Sequence, residues 1–135
     1  MFRTLTLSVI GCVLMYFSNQ TFAQPVLDAA DKVYSMPLLT QTPKGDVLLS
    51  WTEKDAAGVT SFCLATSKDK GATFSDKKTI FSGNGIGNSR LMRAKVLAKK
   101  DGSLVAVFSN RVETAEKKRA SDIVFCVSTD LGTTW

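Results

Sequence analysis

The chain contains no histidine. Within these residues that absence excludes a Ser-His-Asp triad, a histidine-held zinc and imidazole acid-base chemistry. Its longest apolar run, Leu5 to Phe17, falls short of the ~20 residues that a membrane-spanning helix needs. No amphipathic helical pattern of useful length follows residue 23, where Asp28 to Lys32 offers one turn at most. Basic residues exceed acidic ones by five, but they are scattered as Lys77-Lys78, Lys99-Lys100 and Lys117-Lys118-Arg119. Such short groups belong to solvated strand edges and loops. With no recognition helix and no basic stripe interleaved with aromatics, a nucleic-acid partner is not expected. Tryptophan is scarce as well: Trp51 and Trp135 both fit core positions, which leaves no tryptophan platform for a neutral polysaccharide.

What is present begins with an export signal. Arg3 supplies a positive start, the apolar run follows it, and Thr21-Phe22-Ala23 offers a small-residue cleavage site before Gln24-Pro25. Val9-Ile10-Gly11-Cys12 also resembles a bacterial lipobox, but the apolar run continues through Val13, Leu14 and Met15 instead of ending at Cys12. A secreted or periplasmic protein with no membrane span is expected, and lipid anchoring through Cys12 is the lesser reading. Export leaves Cys63 and Cys126 in a compartment that permits a disulfide. They occupy unequal places, four residues before Ser67 and two before Ser128, on strands of neighbouring units. A bridge needs α-carbons within about 7 Å, so two small buried thiols are expected.

The organising feature is a repeat. Ser67-Lys68-Asp69-Lys70-Gly71-Ala72-Thr73-Phe74 returns sixty-one positions later as Ser128-Thr129-Asp130-Leu131-Gly132-Thr133-Thr134-Trp135. Both copies read S-x-D-x-G-x-T-aromatic, and a repeat of that period points to stacked or radially arranged units of sheet. Each unit has the same plan: a short strand, a glycine turn (Gly45, Gly102), a strand, a polar loop, a strand and the box. In the first unit Val47 to Thr52 and Val59 to Ser67 read as strands, with Thr73 to Phe81 closing the edge. In the second, strands are expected at Arg93 to Ala98, Ser103 to Asn110 and Ser121 to Ser128. The two turn glycines are fifty-seven positions apart and the boxes sixty-one, a difference expected to sit in the longer loop Arg111 to Ala120. Residues 1–23 are thus the signal, 24–32 a lead-in, 33–88 the first unit with its linker and 89–135 the second. The second box ends the chain before its following strand, which reads as the front part of a longer protein. Gly83-Asn84-Gly85-Ile86-Gly87-Asn88 fits neither a P-loop nor a dinucleotide fingerprint and reads as the link between units; no cofactor is expected.

Every residue type in the box has a backbone role. The aspartates Asp69 and Asp130 can accept N–H bonds across the turn, Gly71 and Gly132 cover a positive φ, and the hydroxyls of Ser67, Thr73, Ser128 and Thr134 can tie the strand ends. Phe74 and Trp135 plug apolar space between strands. A single carboxylate among hydroxyls is too poor a ligand set for calcium, so no metal is expected there.

These boxes resemble the Asp-box (BNR) repeats of the sialidase (neuraminidase) superfamily. Tyr34-Ser35-Met36-Pro37-Leu38-Leu39 ahead of Pro43-Lys44-Gly45 is similar to that family's opening motif, Tyr/Phe-Arg-Ile-Pro before a glycine turn. The resemblance implies an all-β chain forming two blades, an N-terminal fragment, of a six-bladed β-propeller with the remaining blades downstream. It also implies glycoside hydrolysis of exo-sialidase type, with a glycan partner that is sialylated where activity is retained. The motif departs from the family at one residue: the arginine that helps grip the substrate carboxylate is Ser35 here, and no neutral residue does that bidentate work well. Where the family has a further arginine, this chain has Glu53-Lys54-Asp55, and Asp55 is the one acid placed like the family's acid/base aspartate. Arg90 and Arg93 are the candidates for substrate binding, Arg93 aligning beside the missing arginine but one blade later. The rest of the catalytic set would lie beyond Trp135. The alternatives are a non-catalytic secreted Asp-box propeller that binds glycans or proteins and, behind it, a glycosidase that uses two carboxylates.

Overall fold

The computed structural model describes residues 31–87, 91, 93–113 and 119–135. The signal segment, most of the lead-in and Arg90 lie outside the described residues. Two antiparallel sheets account for the regular structure, and no helix occurs among the described residues. The first sheet runs in chain order β1 (Val33–Gln41), β2 (Val47–Lys54), β3 (Thr60–Ser67), β4 (Lys78–Gly83). The second runs β5 (Lys95–Ala98), β6 (Leu104–Glu113), β7 (Arg119–Ser128). No helix of the described residues is long and apolar enough to cross a membrane.

The repeat is visible in the hydrogen bonds. In the first unit's opening turn, Thr42 N–H donates to Asp46 O at 2.9 Å and Gly45 N–H to Thr42 O at 2.9 Å. The second unit places the same two bonds fifty-seven positions on, Lys99 N–H to Ser103 O at 2.8 Å and Gly102 N–H to Lys99 O at 3.0 Å. Val47 pairs with Ser67 as Leu104 pairs with Ser128, so each box is entered from the same register position.

Beyond shifts of one or two residues at strand ends, three features differ from the sequence expectation. The four extra residues of the second unit lie in its strands: β6 and β7 have 10 residues each, against 8 in β2 and 8 in β3. The first hairpin is closed by residues 55–59, and residues 114–118 of the second lie outside the described residues. Adding two residues to both arms of a hairpin leaves every facing preserved, because side chains alternate with a period of two. The closing strand begins at Lys78, not Thr73, because the backbone and hydroxyl of Thr73 are engaged by Asp69. Finally, the edge strand of the second sheet is split. Ile86 bridges Asn110, Gly87 N–H donates to Ser109 O at 2.9 Å, and β5 then takes over the same edge of β6 from Val107. The first sheet has a bulge in the corresponding place, between Ser35 and Leu38, where Met36 adopts φ 56°.

The main core lies between the sheets. Leu48, Phe62 and Leu64 from the first sheet meet Val96, Leu104, Ala106 and Phe108 from the second, all essentially without solvent exposure. Phe62 stands edge-on to Phe108 with centroids 5.9 Å apart, and Phe81 closes on the same ring at 5.0 Å. Each such side chain contributes ~1.5–3 kcal/mol on burial. Thr40 Oγ1 also donates to Val96 O at 2.8 Å, a polar tie from β1 to β5. A smaller cluster, Trp51, Cys63 and Ala65 with Tyr34, Leu49 and Phe74, occupies the far side of the first sheet. The thiols of Cys63 and Cys126 are both free.

Candidate ligand-binding cleft

Each box forms its turn from its own side chains. Ser67 Oγ donates to Asp69 Oδ1 at 2.7 Å while accepting Gly71 N–H at 2.7 Å. Asp69 also accepts Thr73 N–H at 2.8 Å and Thr73 Oγ1 at 2.6 Å. The second box reproduces the set, with Ser128 Oγ to Asp130 Oδ1 at 2.7 Å, Gly132 N–H to Ser128 Oγ at 2.8 Å, and Thr134 N–H and Oγ1 to Asp130 at 2.9 and 2.7 Å. These bonds hold the Asp69 carboxyl at about 2, first through the Thr73 hydroxyl and amide and then through Ser67. They hold the Asp130 carboxyl lower still, chiefly through Thr134. Both oxygens of each carboxylate are therefore occupied within the turn. The backbone asks for more than the glycine alone: Lys70 and Leu131 also sit in the left-handed region, at φ 60° and 56°.

The other sequence candidates lie toward the opposite ends of the sheets. Asp55 closes the β2–β3 hairpin: its Oδ1 accepts Val59 N–H at 2.9 Å and its carbonyl accepts Gly58 N–H at 3.0 Å. Ser35, in place of an arginine, ties β1 to β2, with its Oγ 2.8 Å from Thr52 Oγ1 and its carbonyl accepting that hydroxyl at 3.2 Å.

Arg93 stands just before β5. It lines a cleft of about 340 Å³ with Leu91, Lys95, Val107, Phe108, Ser109 and Ile123. Two cations thus share one cleft, and both are exposed. At its floor the hydroxyl of Ser109, a residue 8% exposed, has no hydrogen-bond partner among the described residues. A buried hydroxyl left unpaired costs free energy, and because the Ser109 Oγ is out of reach of solvent a ligand meets it only where neighbouring side chains move aside. Guanidinium, ammonium and hydroxyl above an apolar wall suit a small anionic group carried on a partly apolar ring. A second cleft, about 510 Å³, lies between the two boxes. It too holds two cations, Lys68 and Lys78, but Lys78 already donates to Thr133 Oγ1 at 3.0 Å and Asp130 brings a negative charge, so it suits an anion less well.

Sequence reasoning missed one charged cluster. Glu53, 5% exposed, accepts Lys77 Nζ at 2.9 Å, Lys32 Nζ at 3.1 Å and Trp51 Nε1 at 3.4 Å. Burial pushes its carboxyl up, but the two lysines outweigh burial and leave it below the ordinary value. Burial, helped by the charge of Glu53, pushes the neighbouring Cys63 thiol up to about 12. The partners are far apart in the chain, and only the register of the sheet brings them to one face.

Fold and site together define an all-β protein of two box-bearing sheets with a cationic cleft beside the edge strand of the second. Neither a protein-family model nor a curated protein matches the chain, so its function is argued from these residues.

Proposed function

We propose that the two sheets are consecutive blades of a secreted, sialidase-like six-bladed β-propeller and that the Arg93 cleft receives the carboxylate of an acidic glycan. The observation that carries this reading is the grouping of Arg93, Lys95 and the unpaired Ser109 hydroxyl over an apolar wall at the start of an edge strand. Support for the blade reading comes from two sheets with the same turn, register and box, packed face to face in chain order. In such a ring, the starts of the first strands open onto the central pocket, where Arg93 would meet a ligand, while Val107, Ser109 and Ile123, the counterparts of the buried Ser50, Thr52 and Phe62, lie on the side toward the next blade.

Of hydrolysis and recognition, recognition is the role these residues support. Ser35 is engaged by Thr52 and carries no charge, and Asp55 is engaged in its turn. Hydrolysis of exo-sialidase type would draw its nucleophile and remaining arginines from further blades.

The test is a titration of the purified protein with sialyllactose and with lactose. The acidic sugar binds more tightly, and Arg93→Ala removes most of that preference. A charge-assisted contact to an exposed guanidinium falls at the low end of ~1.5–3 kcal/mol, or about tenfold in affinity. Equal affinity for the two sugars in the unaltered protein excludes the acidic-ligand reading.

A further inference from the structure

The link between the sheets carries an asparagine followed by a glycine. Asn84 and Gly85 form a turn between β4, which ends at Gly83, and Ile86, which bridges Asn110 on β6. Asn84 is exposed, and its side-chain amide has no hydrogen-bond partner among the described residues. The residues after it are pinned. Gly85 O accepts Arg111 N–H at 2.7 Å, Gly87 N–H donates to Ser109 O at 2.9 Å, and Ile86 between them is buried in the core between the sheets.

This packing leaves no room for a side chain at position 85. A Cβ there would run into Arg111 O and lie 2.5 Å from Asn110 Oδ1, so only glycine lets the link approach β6 so closely. The consequence for Asn84 is chemical. Asparagine is thermolabile because the backbone nitrogen of the next residue can attack its side-chain carbonyl carbon, and a side chain on that next residue is what ordinarily hinders the approach. Here none stands in the way. The Gly85 nitrogen also donates no backbone hydrogen bond among the described residues that the attack would have to break.

We infer that Asn84 is a site of spontaneous deamidation. The Gly85 nitrogen bonds to Asn84 Cγ and gives up its proton, the bond from Cγ to the side-chain nitrogen breaks, and ammonia leaves carrying that proton. Water then opens the resulting five-membered imide at either carbonyl, giving aspartate or isoaspartate. Aspartate adds only a negative charge at an exposed position. Isoaspartate also puts one more carbon into the backbone immediately before Gly85, where the clamp on β6 allows no displacement, so the register of Ile86 with Asn110 is lost. The inference goes beyond the glycan reading and does not depend on it.

Incubation of the purified chain in warm, mildly alkaline buffer, followed by peptide mass mapping, tests it. The peptide that holds Asn84 should gain the mass of an amide-to-acid conversion and split into two isomers, while the half-buried Asn110, followed by Arg111, stays unchanged. Asn84→Gln should remove the change. In urea, the aged isoaspartate fraction should unfold at a lower midpoint than the fresh chain, whereas Asn84→Asp, which carries the charge alone, should unfold with the fresh chain. Three results overturn the inference: an Asn84 that converts no faster than Asn110, an Asn84 that stays intact under conditions that convert it in the urea-unfolded chain, or an isoaspartate fraction with the same midpoint as Asn84→Asp.

Discussion

Gly71 and Gly132 hold the same box position and the same left-handed backbone, at φ 95° and 80°, yet they should respond differently to alanine. A Cβ at Gly71 would meet nothing within 4 Å. The change then carries only the left-handed strain of ~1–2 kcal/mol, offset by about 0.4–1 kcal/mol from the stiffer unfolded chain. A Cβ at Gly132 would lie 2.5 Å from Leu64 Cδ2, with Leu104 Cδ1 at 3.8 Å behind it. Leu64 is fully buried in the core between the sheets, so its methyl group can retreat only by displacing other packed side chains. Overpacking of that kind adds ~1–3 kcal/mol. Gly132→Ala should therefore lose about 2–4 kcal/mol and Gly71→Ala about 0.5–1.5 kcal/mol. Urea unfolding reads the difference as a lower midpoint at unchanged slope. Equal losses would show that the second box does not press on the first sheet, and the packing between the sheets would have to be redrawn.

The Asp69 carboxyl is held at about 2 against an ordinary 3.8, so the unfolded chain binds its proton more readily. Its contribution to stability is complete above pH ~4 and is lost as pH falls toward the folded value. Stability measured between pH 4 and 2 should fall less steeply in Asp69→Asn, and parallel profiles would contradict the hydrogen bonds assigned to it. With its thiol pushed up to about 12, Cys63 should label far more slowly at pH 8 than the half-buried Cys126, as peptide mass mapping of an alkylation time course would show. Glu53→Ala leaves Lys32 and Lys77 without their shared carboxylate and should cost ~1–3 kcal/mol. Since that carboxyl is also lowered, the loss should be seen at neutral pH and shrink as acid protonates it in the unaltered protein; a loss independent of pH would assign the effect to packing.

The strands were legible because their apolar residues alternate, and their order because the box and the glycine turn each occur twice at matched spacing. Strand ends were not. Thr73 and Phe74 read as β-formers, yet Asp69 takes the amide and hydroxyl of Thr73 before a ladder can. Counting residues could not tell a longer loop from two longer arms, since both leave the facings intact. Met36 at φ 56° carries no sequence signal: the residue before a proline is ordinarily extended. For the site, alignment on the glycine turn brought Arg93 to the start of β5 with Lys95 two residues on, but Ser109 joins them from β6 through sheet pairing that no local pattern specifies.

The account's central claim, that an acidic glycan is held at the edge strand of the second sheet, is tested most directly by mapping amide chemical shifts while sialyllactose is added. The account predicts shifts confined to Arg93 through Val96, Val107 through Ser109 and Ile123, with lactose leaving them unmoved. Shifts clustered instead at the cleft between the boxes, around Thr73, Ser75 and Thr133, or the same shifts with both sugars, would contradict it.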